Sequence, residues 1–210
     1  MLKIKIYHTV QDANGPDYIE DNIPFKSKSE NCWAGEGYYF WEKYIEHAHT
    51  WGKVHYNNKY VICGGTLEAK LETCFDLLGN TDHLQYLENM REEFLKASKN
   101  DSVTLENVVA YARLKGFFPF GIIRMAEQNK HKQQSNDVNL MKLKASNTNP
   151  SHLALKPKIV IFIKDISKFN VSNLKIEYPD EKIKWGGGVV IDKDGNVTQT
   201  EQPSDFIPEQ

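Results

Sequence analysis

The 210-residue chain has no apolar run long enough to span a bilayer. Its first residues, Met1-Leu2-Lys3-Ile4-Lys5, alternate apolar and charged side chains instead of forming the apolar core of a secretion signal. The expectation is a cytoplasmic protein without a membrane partner, and the glycosylation-type triplets at Asn170 and Asn196 are discounted on that ground. Charge of one sign is also lacking. With 26 Lys and Arg against 28 Asp and Glu the net charge is −2, so the whole molecule carries no electrostatic case for nucleic acid, although a local basic patch stays open. Cysteines are few and odd in number. Cys32, Cys63 and Cys74 show no metal-type pairing, which predicts free thiols in a reducing compartment and no metal site. Gly186-Gly187-Gly188 lacks the Lys-Ser/Thr of a phosphate loop, and His47-Ala48-His49 lacks the three- or four-residue spacing that places two zinc ligands on one helix face. Lys130-His131-Lys132 is short and sits in a polar stretch, which reads as a solvated face. From Glu127 to Pro150 there is no Phe, Tyr or Trp, and this stretch reads as a long loop.

The chain is organised around residues 34–52. Gly35-Glu36-Gly37 forms a turn whose glycines permit positive φ and close approach. It feeds an aromatic strand, Tyr38-Tyr39-Phe40. From Trp41 the apolar period changes to three and four residues through Tyr44, Ile45, Ala48 and Trp51, predicting a helix that Gly52 stops. Such a junction of π faces can hold a flat heteroaromatic ring, although aromatic side chains on strands more often belong to a core. Leu2, Ile4 and Ile6 mark a half-buried strand. His8 shares their parity at its end, either as a site residue or as a core-edge histidine satisfied by a backbone carbonyl.

Beyond residue 52, Tyr60 to Cys63 reads as a strand that Gly64-Gly65 interrupts and Leu67-Ala69-Leu71 resumes. Thr81 is the expected cap of a helix carrying Leu84, Leu87, Met90, Phe94 and Leu95. Ser102 or Thr104 caps the next helix, striped by Leu105, Val108, Val109 and Ala112 and closed by Gly116. Strands are expected at Ile122–Arg124, Ile159–Ile163 and Lys182–Trp185, a short helix or turn within Asp165–Leu174, and a hairpin at Asp194-Gly195. There is no internal repeat. The reading is one α+β domain over residues 1–199, mostly antiparallel, with a frayed tail at 200–210.

Ile6-Tyr7-His8-Thr9 followed by Gly35-Glu36-Gly37-Tyr38-Tyr39-Phe40 resembles the ADP-ribosyltransferase superfamily, in the His-and-Tyr branch that includes poly(ADP-ribose) polymerase catalytic domains and the diphtheria-toxin type. Ala48 matches the small residue of the helix that follows, and Lys158-Ile159-Val160-Ile161-Phe162 is similar to the late family strand. The resemblance implies two small, mostly antiparallel sheets around a nucleotide cleft with flanking helices. It implies NAD as the bound substrate, with ADP-ribose passed to an acceptor that is a protein, a nucleic acid or a small molecule. His8 would bond the adenine-side ribose, the Thr9 backbone would hold the carboxamide, Tyr39 would stack on nicotinamide, and Gly35 and Gly37 would let the chain pass close to the dinucleotide. His8 and Tyr39 are thus the implied catalytic residues. The second stacking aromatic would fall at Thr50, with Trp51 as its neighbour and substitute. Two departures stand out. Thr9 replaces the glycine after the histidine, and Lys158 stands where the family's glutamate opens the late strand; Glu127, Asp165 and Glu68 are the acids considered in its place. The resulting expectations are an NAD-dependent mono-ADP-ribosyltransferase of toxin or defence type, a non-turnover module binding NAD or ADP-ribose, or an interaction protein with a degenerate site. The stretch from Glu127 to Pro150 is expected to border the acceptor side.

Overall fold

The computed structural model describes residues 1–29, 32–98, 103–126, 140–142, 152–179, 190–191 and 197–198. The first strand, β1 (Leu2–Gln11), is followed by helix α1 (Gly15–Asn22), β2 (Tyr38–Glu42), helix α2 (Ile45–His55) and β3 (Tyr60–Ala69). Then come β4 (Cys74–Asp76), helices α3 (Thr81–Ala97) and α4 (Leu105–Leu114), β5 (Ile122–Ala126), β6 (Leu140–Lys142), β7 (His152–Ala154), β8 (Ile159–Ile163), β9 (Asn170–Tyr178), β10 (Val190–Ile191) and β11 (Val197–Thr198). The architecture is α+β, as expected. In place of two small sheets, however, seven strands form one sheet in the order β4-β5-β8-β2-β1-β3-β9, antiparallel except for the β4–β5 pair. Two hairpins, β6–β7 and β10–β11, stand apart from it.

The sheet is nearly divided in the middle. Strand β1 pairs with β3 over its whole length, from Leu2↔Ala69 to Gln11↔Tyr60, but with β2 only at Ile6↔Glu42 and Tyr7↔Trp41. Beyond Tyr7 the two strands part. Strict alternation along β1 sends Ile4, Ile6 and His8 to one face and Tyr7 and Thr9 to the other. On the first face Ile4, Ile6, Phe40, Leu67, Ile122, Ile161 and Ile163 make a buried cluster. On the second, Phe75, Ile123, Met125, Val160 and Phe162 pack against Met90 of α3 and Val108, Val109 and Ala112 of α4. Each fully buried side chain of this size contributes about 1.5–3 kcal/mol.

Several local expectations are corrected. Gly52 does not stop α2, which runs on to His55; its hydrogen sits against Tyr60 of β3, where a Cβ would lie 2.3 Å from the ring. The helix also starts later than the aromatic pattern suggests, since Trp41 and Glu42 continue the strand. Gly64 and Gly65 do not interrupt β3. They clear room for Glu177 and Leu174 of β9, whose register shifts at that place. Asp165–Leu174 does hold a short helical turn, Ile166–Lys168, but its second half, from Asn170, is the start of β9. The α3 cap is Asn80, one residue before Thr81, its Oδ1 accepting from the Asp82 and His83 amides at 3.0 and 3.2 Å. Thr104 caps α4, and Gly116 follows it at φ +79°. The expected long loop includes strand β6 at 140–142; its remainder, the expected strand Lys182–Trp185 and the tail at 200–210 lie outside the described residues. No described helix is long and apolar enough to cross a membrane.

Candidate functional site

Where β1 and β2 part, a cleft of about 540 Å³ opens, within the usual range for small-ligand sites. Its floor is the end of β1, from His8 to Gln11. One wall is Tyr39, Phe40 and Trp41 of β2, another is Trp51 and His55 of α2 with Tyr56, and Tyr18, Phe25, Lys26, Ser27, Cys32 and Trp33 complete it.

His8 is 6% exposed and has both ring nitrogens engaged by backbone. Nδ1 lies 2.8 Å from the Tyr39 carbonyl, and Nε2 lies 3.1 Å from the Phe25 amide nitrogen. A carbonyl only accepts and an amide only donates, so Nδ1 carries the proton and Nε2 is the acceptor. Burial lowers the imidazole pKa to about 4, which keeps the ring neutral. The core-edge alternative therefore describes the observed bonding, with a carbonyl on one side of the ring and an amide on the other.

The Thr9 hydroxyl donates to the Ala48 carbonyl at 3.2 Å, tying β1 to α2. The Thr9 peptide is placed differently. The Lys5 carbonyl accepts from the Lys43 amide on the β2 side, and the β1–β3 register runs without a break. Alternation therefore turns the backbone N–H and C=O of Tyr7 and Thr9 toward β2 as well. Tyr7 meets Trp41, but Thr9 lies beyond the last β1–β2 pair, so its donor and acceptor face the opening.

Tyr39 is half-buried. Its ring packs against Phe162 at a centroid separation of 5.0 Å, and its hydroxyl donates to the Gly35 carbonyl at 2.6 Å while accepting from the Ala34 amide at 3.1 Å. Burial raises its pKa, so the phenol stays protonated. Behind it, the Arg113 guanidinium lies over the Phe162 and Phe118 rings at 5.8 and 5.1 Å. Gly35 and Gly37 do not line the cleft. Gly35 has φ +86°, and at Gly37 a Cβ would lie 2.4 Å from the Phe162 ring, so these glycines serve the turn and its contact with β8.

Trp51 lines the cleft and Thr50 does not, its hydroxyl donating to the Glu46 carbonyl one helical turn back. Trp51 stacks on His55 at 3.6 Å with 24° between planes, stands 5.9 Å from Trp41, and gives its indole N–H to Tyr56. Sequence reasoning missed His55, although its i, i+4 relation to Trp51 was legible. It also missed Lys26, Cys32 and Trp33, which no periodicity marks and which only the chain's return to β2 brings in. His49 meets the Tyr60 hydroxyl at 2.9 Å and the Tyr178 ring at 4.6 Å.

Among the described lining residues there is no Asp or Glu. Lys158 lies just before β8, its charge acting on His47. Asp165 accepts from Ser167 in the turn after β8, Glu68 pairs with Lys3 at 2.7 Å, and Glu127 lies outside the described residues. Cys32, Cys63 and Cys74 are free thiols, and burial pushes the latter two up to about 12. Among the described residues no group of three His, Cys, Asp or Glu side chains could hold a metal ion.

Compared with known proteins, the chain matches no family model, no curated protein and no solved structure.

Proposed function

We propose that the cleft binds NAD or another ADP-ribose-bearing dinucleotide. The observation that carries this reading is that Thr9 lines the cleft beyond the last β1–β2 pair, where strand alternation turns its N–H and C=O toward the gap. An adjacent donor and acceptor match a carboxamide such as that of nicotinamide, which offers one of each. Tyr39, held at its hydroxyl by Ala34 and Gly35, presents a pre-ordered flat surface to such a ring. Lys26 supplies a cation at the lip for a pyrophosphate, although its ammonium is shared with Glu36 at 2.8 Å.

Binding without turnover is the reading the geometry supports best. Cleavage of the N-glycosidic bond builds positive charge on the sugar, and a carboxylate near that charge would lower the barrier; none of the described lining residues supplies one. The second reading, mono-ADP-ribosyl transfer, is favoured by the meeting of His8 and Tyr39 in one cleft at the spacing of the resemblance. Two measurements separate the readings. NAD at 100 times its dissociation constant should add about 2.7 kcal/mol to unfolding stability. Thermal unfolding unchanged by millimolar NAD would refute the site itself. Nicotinamide release from NAD, absent in the first reading, would establish the second.

A further inference from the structure

We infer that His8 is a proton-operated latch on one lip of the cleft: the neutral ring holds the Phe25–Ser27 segment down, and the protonated ring releases it while keeping its hold on Tyr39. The latch is a property of the fold, and its effect on a ligand rests on the NAD reading proposed above.

The asymmetry of the two ring nitrogens carries the inference. Nδ1 donates to the Tyr39 carbonyl, and it remains an N–H donor in the imidazolium. Nε2 accepts from the Phe25 amide, and once protonated it becomes a second donor pointed at the first across 3.1 Å. The ring is 6% exposed, so a proton there finds neither an acceptor nor water unless the segment moves. Phe25, Lys26 and Ser27 all line the cleft. Beyond Phe25 the segment is pinned again at Ser27, whose amide donates to the Gly37 carbonyl at 2.8 Å while its carbonyl accepts from the Gly37 amide at 3.1 Å. Release at His8 thus frees the middle of a strap that stays anchored at Ser27 and, on its other side, at Ile23, whose amide donates to the Ile19 carbonyl at 3.0 Å.

The groups around the ring leave it to act alone. On β3 its register partner is Cys63, a thiol that burial keeps protonated. From β2 come the Phe40 ring at 5.2 Å and Tyr39, whose hydroxyl is occupied by Gly35 and Ala34. In the strap itself the charged group is Lys26, paired with Glu36. His55 lines the same cleft from the α2 wall, so it needs its own control.

The test is nuclear magnetic resonance of the ¹⁵N-labelled full chain from pH 7.5 to about 3, a range that brackets a midpoint at about 4, following the His8 ring nitrogens and the Phe25, Lys26 and Ser27 amides. Phe75 and Val109 amides report on the core. The expected result is an Nδ1–H tautomer at neutral pH, then protonation of His8 with strap amides shifting at the same midpoint while Phe75 and Val109 stay in place. An Nε2–H tautomer, or His8 protonation without movement of the strap amides, overturns the latch. So does loss of the whole native spectrum at that midpoint. In parallel, NAD binding by calorimetry should weaken about twofold more between pH 7.5 and 4 in the wild type than in His8→Gln, which does not titrate and retains His55. Equal weakening in both overturns the link between latch and ligand. Failure of NAD to bind at pH 7.5 counts against the proposed function and leaves the amide shifts to decide the latch.

Discussion

His8 illustrates how one buried ring turns into a pH dependence of the fold. Its folded pKa, about 4, lies below the ordinary value of 6.5 because burial penalises the charged form. A base with a depressed folded pKa binds more protons when unfolded, so stability is complete above pH 6.5 and falls as pH drops toward 4. At 1.36 kcal/mol per pH unit the loss is at most about 3 kcal/mol, less whatever local release of the strap recovers. Urea unfolding from pH 7.5 to 4.5 should show this decline, and it should shrink in His8→Gln. Tyr39 and Phe40 form the second residue-scale contrast, because neighbours on β2 point to opposite faces. Phe40 is 1% exposed in the apolar cluster, so Phe40→Ala should cost about 3–5 kcal/mol of folding stability. Tyr39→Ala removes a half-buried ring and two hydroxyl hydrogen bonds, for about 2 kcal/mol, but should weaken NAD binding about tenfold or more. Normal NAD binding by the Tyr39 variant would remove it from the site.

At the scale of the element, α2 forms one wall of the cleft. Its seat is set by Gly52, against which the Tyr60 ring lies flush, and by Ala48, which is fully buried. Gly52→Ala would gain about 1 kcal/mol of helix propensity, but the added methyl collides with the ring, and overpacking of this kind costs about 1–3 kcal/mol. The expected net result is destabilisation by up to about 2 kcal/mol, with weaker NAD binding because Trp51 and His55 shift with the helix. Thr50→Ala, on the exposed side of the same turn, should change neither; the comparison is made by thermal unfolding and calorimetry. Sequence alone reads Gly52 as a stop, since a glycine after an apolar stripe is the ordinary end of a helix. That Tyr60 waits across the gap is a long-range fact with no local signature.

Across the whole molecule, a charge bridge binds the half-sheet on the far side of β1. Arg124 of β5 donates from Nε and Nη2 to the two carboxylate oxygens of Glu42 at 2.7 and 2.9 Å, and from Nη1 to Asp76 at 3.0 Å. These side chains are 14–28% exposed, so the bridge is mostly shielded from water and salt. Glu42→Ala would leave half of the guanidinium fork unpaired. The expected loss is about 2–3 kcal/mol in urea unfolding, below the 3–5 kcal/mol of a fully buried pair. A loss under about 0.5 kcal/mol would place Glu42 with ordinary surface pairs.

Much of this architecture could be read along the chain. The strand Leu2–Ile6, the buried strand Ile159–Ile163, the stripes of α3 and α4, and the Val190–Ile191 with Val197–Thr198 hairpin all follow from apolar period and turn residues, which act over a few neighbouring positions. The parity of His8 and Tyr39 was equally legible, but the expected strand end at His8 was not found, because β1 runs on beside β3 to Gln11. What only the tertiary structure decided is pairing. Strand β9 was obscured by its irregular start, with Asn173 at φ 56°, and was revealed by its ladder with β3. The near-division of the sheet, the position of Thr9 beyond the last β1–β2 pair and the occupation of both His8 nitrogens depend on how far β2 runs beside β1 and where Phe25 returns. Those distances are set by contacts between residues far apart in sequence, to which local periodicity is blind.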